Sequence, residues 1–332
     1  MAVTIKDIAR ICGVSVGTVD RALRNRAGIS PQTRAHVLAT AEKHGYKPNI
    51  VARSLKVRRT FEIGLIVHDL ENEFFAQLVN AVQEIAWKKG FFIQVAVSRR
   101  EPGRERLALE HMAGRNVDGI ILFPTCIEPD FDGFLRGLDR PVVTIANRVS
   151  PRWPFVGLRD RAVLHEVTEG IVARGYRRLF FVGPFDELGG KINIYQIDER
   201  YAGFREVVAR HRGVEGFLLG GPDYVARLRE VRLEETRTAV ICASDIFALE
   251  ILRDLRLRGV RVPRDIGLMG FDSIDALRYI EPQLSTVEYP IQRMGEIAFS
   301  LLTEPREGTE VPYVELSPRV VWGESLEGSP TP

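Results

Sequence analysis

Five short stretches of this chain set polar and aromatic side chains together just after apolar runs. They are His68-Asp-Leu-Glu-Asn72-Glu-Phe74-Phe75, Ala146-Asn147-Arg148, Asp198-Glu-Arg200-Tyr-Ala-Gly-Phe204, Ala243-Ser244-Asp245 and Phe271-Asp272-Ser273. An aromatic face packs on the C–H side of a sugar ring, and Arg and Asp make charge-assisted bonds with its hydroxyls. Gathered in one cleft, these residues suit a small polyhydroxylated ligand. Phe75 suits a plain core position equally well, and Asp245 suits the start of a helix as its N-cap. Asp272 and Arg200 are the stronger candidates, because a lone charge at a buried strand end needs a partner. Glu288 is a weaker one.

A second group lies at the N-terminus, in Thr4-Ile-Lys-Asp-Ile-Ala-Arg-Ile-Cys-Gly-Val-Ser-Val-Gly-Thr-Val-Asp-Arg-Ala-Leu23. Ile5, Ile8 and Ala9 give a first helix its apolar face. Gly13 breaks that helix with the left-handed conformation that glycine tolerates. Ser15 then caps a second helix, whose Val19 and Leu23, with Val14, pack back on the first. Ala9, Gly13 and Val19 have the spacing of a helix-turn-helix. Ser15, Val16, Gly17, Thr18 and Arg21 remain on the outer side, free to enter a major groove. Ser30-Pro31 starts a third helix, with Val37, Leu38 and Ala41 as its stripe, and Gly45 ends it.

Catalytic patterns are missing. No Gly-x-Gly-x-x-Gly follows a strand. Gly183 to Lys191 looks like a phosphate loop, but its spacing fails and Ile192 stands where Ser or Thr must ligate magnesium. There is no His-x-x-x-His pair and no Gly-x-Ser-x-Gly elbow. These absences predict a chain that is not an enzyme and has no cofactor or metal.

The elements that must carry the first group read as alternating strands and helices from Phe61 onward. Strands are expected at 62–67, 91–97, 118–123 and 141–145, with helices at 74–89 and 104–115 between them. A second series follows: helix 161–174, strand 178–182, helix 199–211, strand 216–219, helix 223–232, strand 238–242, helix 246–258 and strand 265–270. Such alternation predicts parallel sheets with helices on both faces, in two similar lobes. Ligands of open parallel sheets bind at the carboxyl ends of the strands, where all five stretches fall.

After Gly45 comes Tyr46-Lys-Pro-Asn-Ile-Val-Ala-Arg-Ser-Leu-Lys56. Here the chain resembles the lactose-repressor family of bacterial transcription regulators. The resemblance rests on Ile5 to Ala9, Gly13-Val-Ser15, Thr18-Val19, Arg21, Gly45-Tyr46 and Asn49 to Leu55. It is specific in the first sixty residues and looser beyond. The part from Phe61 onward is also similar to periplasmic sugar-binding proteins, whose first-loop motif Asn72-x-Phe74-Phe75 matches. The resemblance implies DNA contacts from Thr4, Ser15, Val16, Gly17, Thr18 and Arg21, and from a hinge helix through Asn49, Ala52, Arg53 and Leu55. It implies effector contacts from Asn72, Phe74, Phe75, Asn147, Arg148, Arg200, Ser244 and Asp272. Asn147 replaces a usual Asp and Ser244 a common Asn, which leaves the exact sugar open; the alternative is the same architecture with a nucleobase or other non-sugar effector, or none. Residues 290–310 are expected to return to the first lobe.

The fold class expected is therefore a small all-α helix-turn-helix head (1–47), a hinge and linker (48–60), and a two-lobed α/β effector-binding and dimerisation domain (61–332). Charge agrees. Residues 1–60 hold twelve Lys or Arg against three Asp or Glu, net +9, and the remainder carries −7. A basic head on an acidic body meets a polyanion through the head alone. No apolar run is long enough to span a membrane and no signal peptide is evident. Cys12, Cys126 and Cys242, odd in number and scattered, suit a reducing compartment. The expected partners are double-stranded DNA with a pseudo-palindromic operator, a small effector and a second copy of the chain, in the cytoplasm. The polar tail after Trp322 is no tetramerising heptad, which favours a dimer.

Arginine reads guanine best. Arg21→Ala is expected to cost about 1–3 kcal/mol of operator affinity and to relax specificity at one base pair per half-site. A binding-site selection checks this, and unchanged base preference contradicts it.

Overall fold

Thr4 opens the first helix, α1 (Ile5–Cys12), with a capping box. Its hydroxyl accepts from the Asp7 amide at 3.3 Å, and the Asp7 carboxylate accepts from the Thr4 amide at 3.0 Å. Gly13, at φ +65°, ends it. The Ser15 hydroxyl accepts from the Thr18 amide at 3.1 Å and starts α2 (Val16–Leu23). Ser30 does the same for α3 (Pro31–Lys43), accepting from Thr33 at 3.1 Å with Pro31 at the first helical position. Ile8, Ala9, Val19, Ala22 and Val37 form the buried core. The stripe of α3 departs from expectation: Val37 and Ala41 are buried, Thr40 joins them, and Leu38 is exposed.

The computed structural model describes residues 3–23, 25–46, 59–185, 190, 192–233, 235–305 and 309–328. The chain divides into two compact units, 1–60 and 61–332. The proposed hinge helix, 49–55, lies outside the described residues.

The second unit runs β1 (Glu62–Val67), α4 (Glu73–Lys88), β2 (Phe92–Val97), α5 (Pro102–Gly114), β3 (Gly119–Leu122), α6 (Phe131–Gly137), β4 (Val142–Ile145) and β5 (Phe155–Leu158). It continues through α7 (Asp160–Ala173), β6 (Arg178–Val182), α8 (Tyr195–Arg210), β7 (Glu215–Leu219), α9 (Tyr224–Arg229), β8 (Thr238–Cys242), α10 (Asp245–Leu257) and β9 (Gly267–Met269). A 3₁₀ helix (Asp275–Tyr279), β10 (Thr286–Glu288), α11 (Ile291–Thr303), β11 (Tyr313–Leu316) and β12 (Arg319–Val321) complete it.

One sheet has the order β11-β5-β4-β3-β1-β2 and the other β7-β6-β8-β9, all parallel. Alternate residues of these strands serve opposite faces. Ile63, Leu65 and Val67 join one apolar cluster and Ile66 another. Leu179 and Phe181 likewise part from Phe180 and Val182. Both faces are covered, which is why the strands read as unbroken apolar runs. The chain passes between the sheets after β5, after β10 and after β11. As the resemblance implied for residues 290–310, α11 packs on α4; β11 then pairs with β5. β12 then pairs antiparallel with β10.

The strands β5, β10, β11 and β12 and the helix α6 are additions to the expected set. Each is three to seven residues long, too short to show a periodicity. α8 begins at Tyr195 rather than near 199, which adds Gln196 to the helix that carries Arg200.

α7 and α8 lie against each other at Gly203. A methyl group there would sit 3.0 Å from the His165 amide nitrogen and closer still to the Arg161 carbonyl. Neither backbone can yield cheaply. Gly203→Ala is therefore expected to destabilise by about 1–3 kcal/mol through overpacking, despite alanine's better helix propensity. Urea unfolding measures it, and a variant as stable as the parent would contradict the close approach.

Candidate functional site

The carboxyl ends of β1, β2, β4, β8 and β9 and the starts of α4, α8 and α10 surround a cavity of about 510 Å³. Asn72 caps α4, its side-chain oxygen accepting from the Phe74 amide at 3.1 Å. That cap turns Phe74 and Phe75 into the wall, ring against ring at 5.2 Å, with Tyr289 4.6 Å from Phe74. Asn147 is buried and fully used. Its amide donates to the carbonyls of Pro124 (3.2 Å) and Asn193 (2.8 Å), and its oxygen accepts from the Gln196 amide (3.2 Å). A carboxylate could not donate these two bonds, so the departure from Asp has a structural reason.

Arg200 is only 2% exposed. Its guanidinium donates to Asp160 at 2.7 Å, to the Ala243 carbonyl at 2.6 Å and to the Tyr289 hydroxyl, and lies 3.5 Å from the centre of the Phe271 ring. Tyr289 donates in turn to Gln196 at 3.2 Å. Burial pushes Asp160 up to about 6 against the pull of Arg200. Asp272, also buried, accepts from Ser244 and is raised well above the usual carboxylate range, first by burial, with Asp245 and Asp160 repelling it and Arg200 opposing the shift. The Asp272 backbone has φ +116° and Ser273 +58°, an uncommon pair for non-glycine residues.

Ser244 caps α10, accepting from the Ile246 amide at 3.3 Å. Asp245 is therefore not the N-cap. It occupies the first helical position and accepts from the Ile274 amide at 3.0 Å and the Thr286 hydroxyl at 2.7 Å.

The structure corrects the expectation for Arg148. It is half-buried with its guanidinium 4.9 Å from the centre of the Tyr313 ring, and it is not among the described residues lining the cavity. The turn at Ala146, φ +59°, spends its inward position on Asn147. Arg100 supplies a cation to the wall instead, 3.5 Å from Asp69. Glu288 is engaged by Arg319 at 2.7 Å. Sequence reasoning missed Arg100, Asp160, Gln196 and Tyr289. Gln196 had a legible signal, since it lies one helical turn before Arg200 on the same face. Tyr289 had none, because it stands in a crossover.

On the head, Ser15, Val16, Gly17 and Arg21 are exposed and Thr18 is half-buried. The Ser15 and Thr18 hydroxyls meet at 2.9 Å, and the Thr4 side chain is taken up by its capping box. Arg26 stands 4.0 Å from Asp20. Asn49, Ala52, Arg53 and Leu55 lie outside the described residues.

A three-helix head of helix-turn-helix pattern, joined to two parallel sheets around a polar cavity, is the architecture of a DNA-binding regulator. Residues 4–49 match the model of bacterial regulatory proteins of the lacI family, and 168–326 that of the periplasmic binding protein-like domain. The chain is 30% identical to catabolite control protein A of Priestia megaterium, over 98% of this chain and 100% of that protein. It is 27% identical to the transcriptional repressor PurR of Mannheimia succiniciproducens, over 98% of each. The regulator CelR, solved in complex with cellobiose, superposes with a TM-score of 0.67 at 25% identity, over 97% of this chain and 99% of that one. The chain belongs to the lacI family of bacterial regulatory proteins; it is a transcriptional regulator and not an enzyme. Among the described residues no helix is long and apolar enough to cross a membrane.

Beneath the cavity, Glu105 of α5 is fully buried and accepts from the amides of Thr125 and, at 3.2 Å, Cys126. The Thr125 carbonyl accepts from Asn193 at 2.8 Å. Burial pushes Glu105 up to about 7 from an ordinary 4.5, against those amides. A carboxyl raised on folding favours the folded state fully below its ordinary value, and the benefit is lost as pH rises through 7. Glu105→Gln is expected to flatten the fall in melting temperature between pH 5 and pH 8. Parallel profiles for the two proteins would contradict this.

Proposed function

We propose that this regulator is a repressor that binds a pseudo-palindromic operator as a homodimer and is controlled by a small neutral, sugar-like effector in the cavity. Ser15, Val16, Gly17, Thr18 and Arg21 face the major groove, and the contacts proposed for Asn49, Ala52, Arg53 and Leu55 fall on residues outside the described ones. The observation that carries the effector reading is the cluster of Arg200, Asp160, Tyr289, Gln196 and Asp272 beside the wall of Phe74 and Phe75. It combines apolar ring surface with both donors and acceptors, as a polyol needs. Arg200 already has anionic and carbonyl partners, and Asp69, Glu71 and Glu250 outnumber Arg100 and Arg200 on the wall. That balance disfavours a phosphorylated or carboxylated effector. The PurR relative supports a second reading, a nucleobase effector stacked on the aromatic wall.

The test is a thermal-shift screen of the full chain against ribose, xylulose and cellobiose on one side, and hypoxanthine and guanine on the other. A binder present at a hundred times its Kd stabilises by about 2.7 kcal/mol. The expected outcome is a shift with a sugar that Asp272→Ala abolishes. A shift with purines alone favours the second reading. A lower melting temperature in the variant with affinity intact means that Asp272 serves only its turn.

A further inference from the structure

Glu73 makes a contact that none of the roles above uses. It is the first residue of α4, between Asn72 and Phe74, and α4 packs on the first lobe. Its carboxylate accepts from the backbone amide of Ala276 at 3.0 Å, across a sequence separation of 203 residues. Ala276 lies in the 3₁₀ helix Asp275–Tyr279, whose neighbours Ile274, Leu277 and Ile280 belong to the apolar cluster of the second lobe. The bond therefore joins the two lobes directly. It ties the loop that presents Phe74 and Phe75 to the segment that follows the strained Asp272-Ser273 turn. Arg278, on the same 3₁₀ helix, adds electrostatic attraction to Glu73.

The amide of Ala276 is in the first turn of its helix and has no acceptor within that helix, so the carboxylate satisfies a donor that would otherwise need water. Other ties between cavity residues run elsewhere. Asn193 and Gln196 bond to Thr125, Asn147 and Arg148 at the start of α8. Those ties involve a segment that leads directly into the second lobe. The Glu73 bond joins the lobes at a separate place, between α4 and the 3₁₀ helix, and it breaks when the walls separate.

We propose that Glu73 is a latch and positioning residue. It holds the two cavity walls together before any effector arrives, and so sets the equilibrium between closed and open cleft. Its consequence for effector affinity rests on the reading given above, but the latch itself does not, and it is tested without effector.

The experiment is hydrogen–deuterium exchange on the full chain, followed at the amides of residues 272–280, with β8 and β9 as an internal standard. Glu73→Ala is expected to speed exchange at 272–280 by about tenfold, the loss of one charge-assisted bond, while β8 and β9 keep their protection. Glu73→Gln retains an acceptor oxygen and is expected to stay within about threefold of wild type. If Glu73→Ala folds poorly, Ala276→Pro removes the donor and leaves the carboxylate. Proline is tolerated in a first helical turn, and the same acceleration is expected at the remaining amides. Unchanged exchange in Glu73→Ala or Ala276→Pro overturns the latch. Exchange as fast in Glu73→Gln as in Glu73→Ala would show that attraction to Arg278, and not the bond to Ala276, does the holding, and would also overturn it.

Discussion

A guanidinium taken out of water must be given back what water supplied. Arg200 meets that demand with Asp160, the Ala243 carbonyl, the Tyr289 hydroxyl and the face of Phe271. Desolvating such an ion costs several kcal/mol even after relaxation, and removing one partner of a buried pair costs about 3–5 kcal/mol. The partners come from different parts of the fold. Asp160 starts the helix after β5, Ala243 ends β8, and Tyr289 stands between β10 and α11. Two of these places are passages from one lobe to the other. The pair thus fixes how the crossovers sit relative to α8, and with them the floor of the cavity. Other polar groups there inherit their positions from it, including Gln196 through Tyr289.

The head works under a different constraint. Its buried apolar set is small, and a core of that size leaves little margin. Local terms therefore matter more. Each helix begins with a hydroxyl that satisfies an orphan amide: Thr4, Ser15 and Ser30, each worth about 0.5–2 kcal/mol. Two of these hydroxyls belong to residues the resemblance assigns to DNA. Thr4 and Ser15 hold the helices in place with their side chains, so base reading rests more on Val16, Gly17 and Arg21, which are exposed and carry no capping duty.

What could be read in advance follows from the range of the interactions involved. The three head helices, their caps and the parallel strands rest on local patterns, and those patterns were legible. Asn72, Ser244 and Asp272 also stand at the cavity because strand ends are local. Arg148 failed for a local reason on too fine a scale: one turn at Ala146 decides which of two adjacent residues faces inward. Asp160 and Tyr289 were illegible because their role depends on Arg200, 40 and 89 residues away. The short strands β10, β11 and β12 exist only because distant chain pairs with them, and no periodicity of their own announces them.

The satisfied state of Arg200 also limits how an effector of the proposed kind could act. A ligand changes an equilibrium only by binding one state better than the other. Bonds that Arg200 already makes to Asp160 and Ala243 exist without a ligand, so a hydroxyl that merely replaced one of them would gain little. The groups with capacity left are different. Burial, with its carboxylate neighbours, raises the Asp272 carboxyl well above the usual range, and Arg100 is partly exposed beside Asp69. They approach the cavity from opposite lobes, after β9 and after β2. A ligand that bonds to both gains its second partner only when the walls are close, and that difference between open and closed is the free energy available for moving the rest of the molecule.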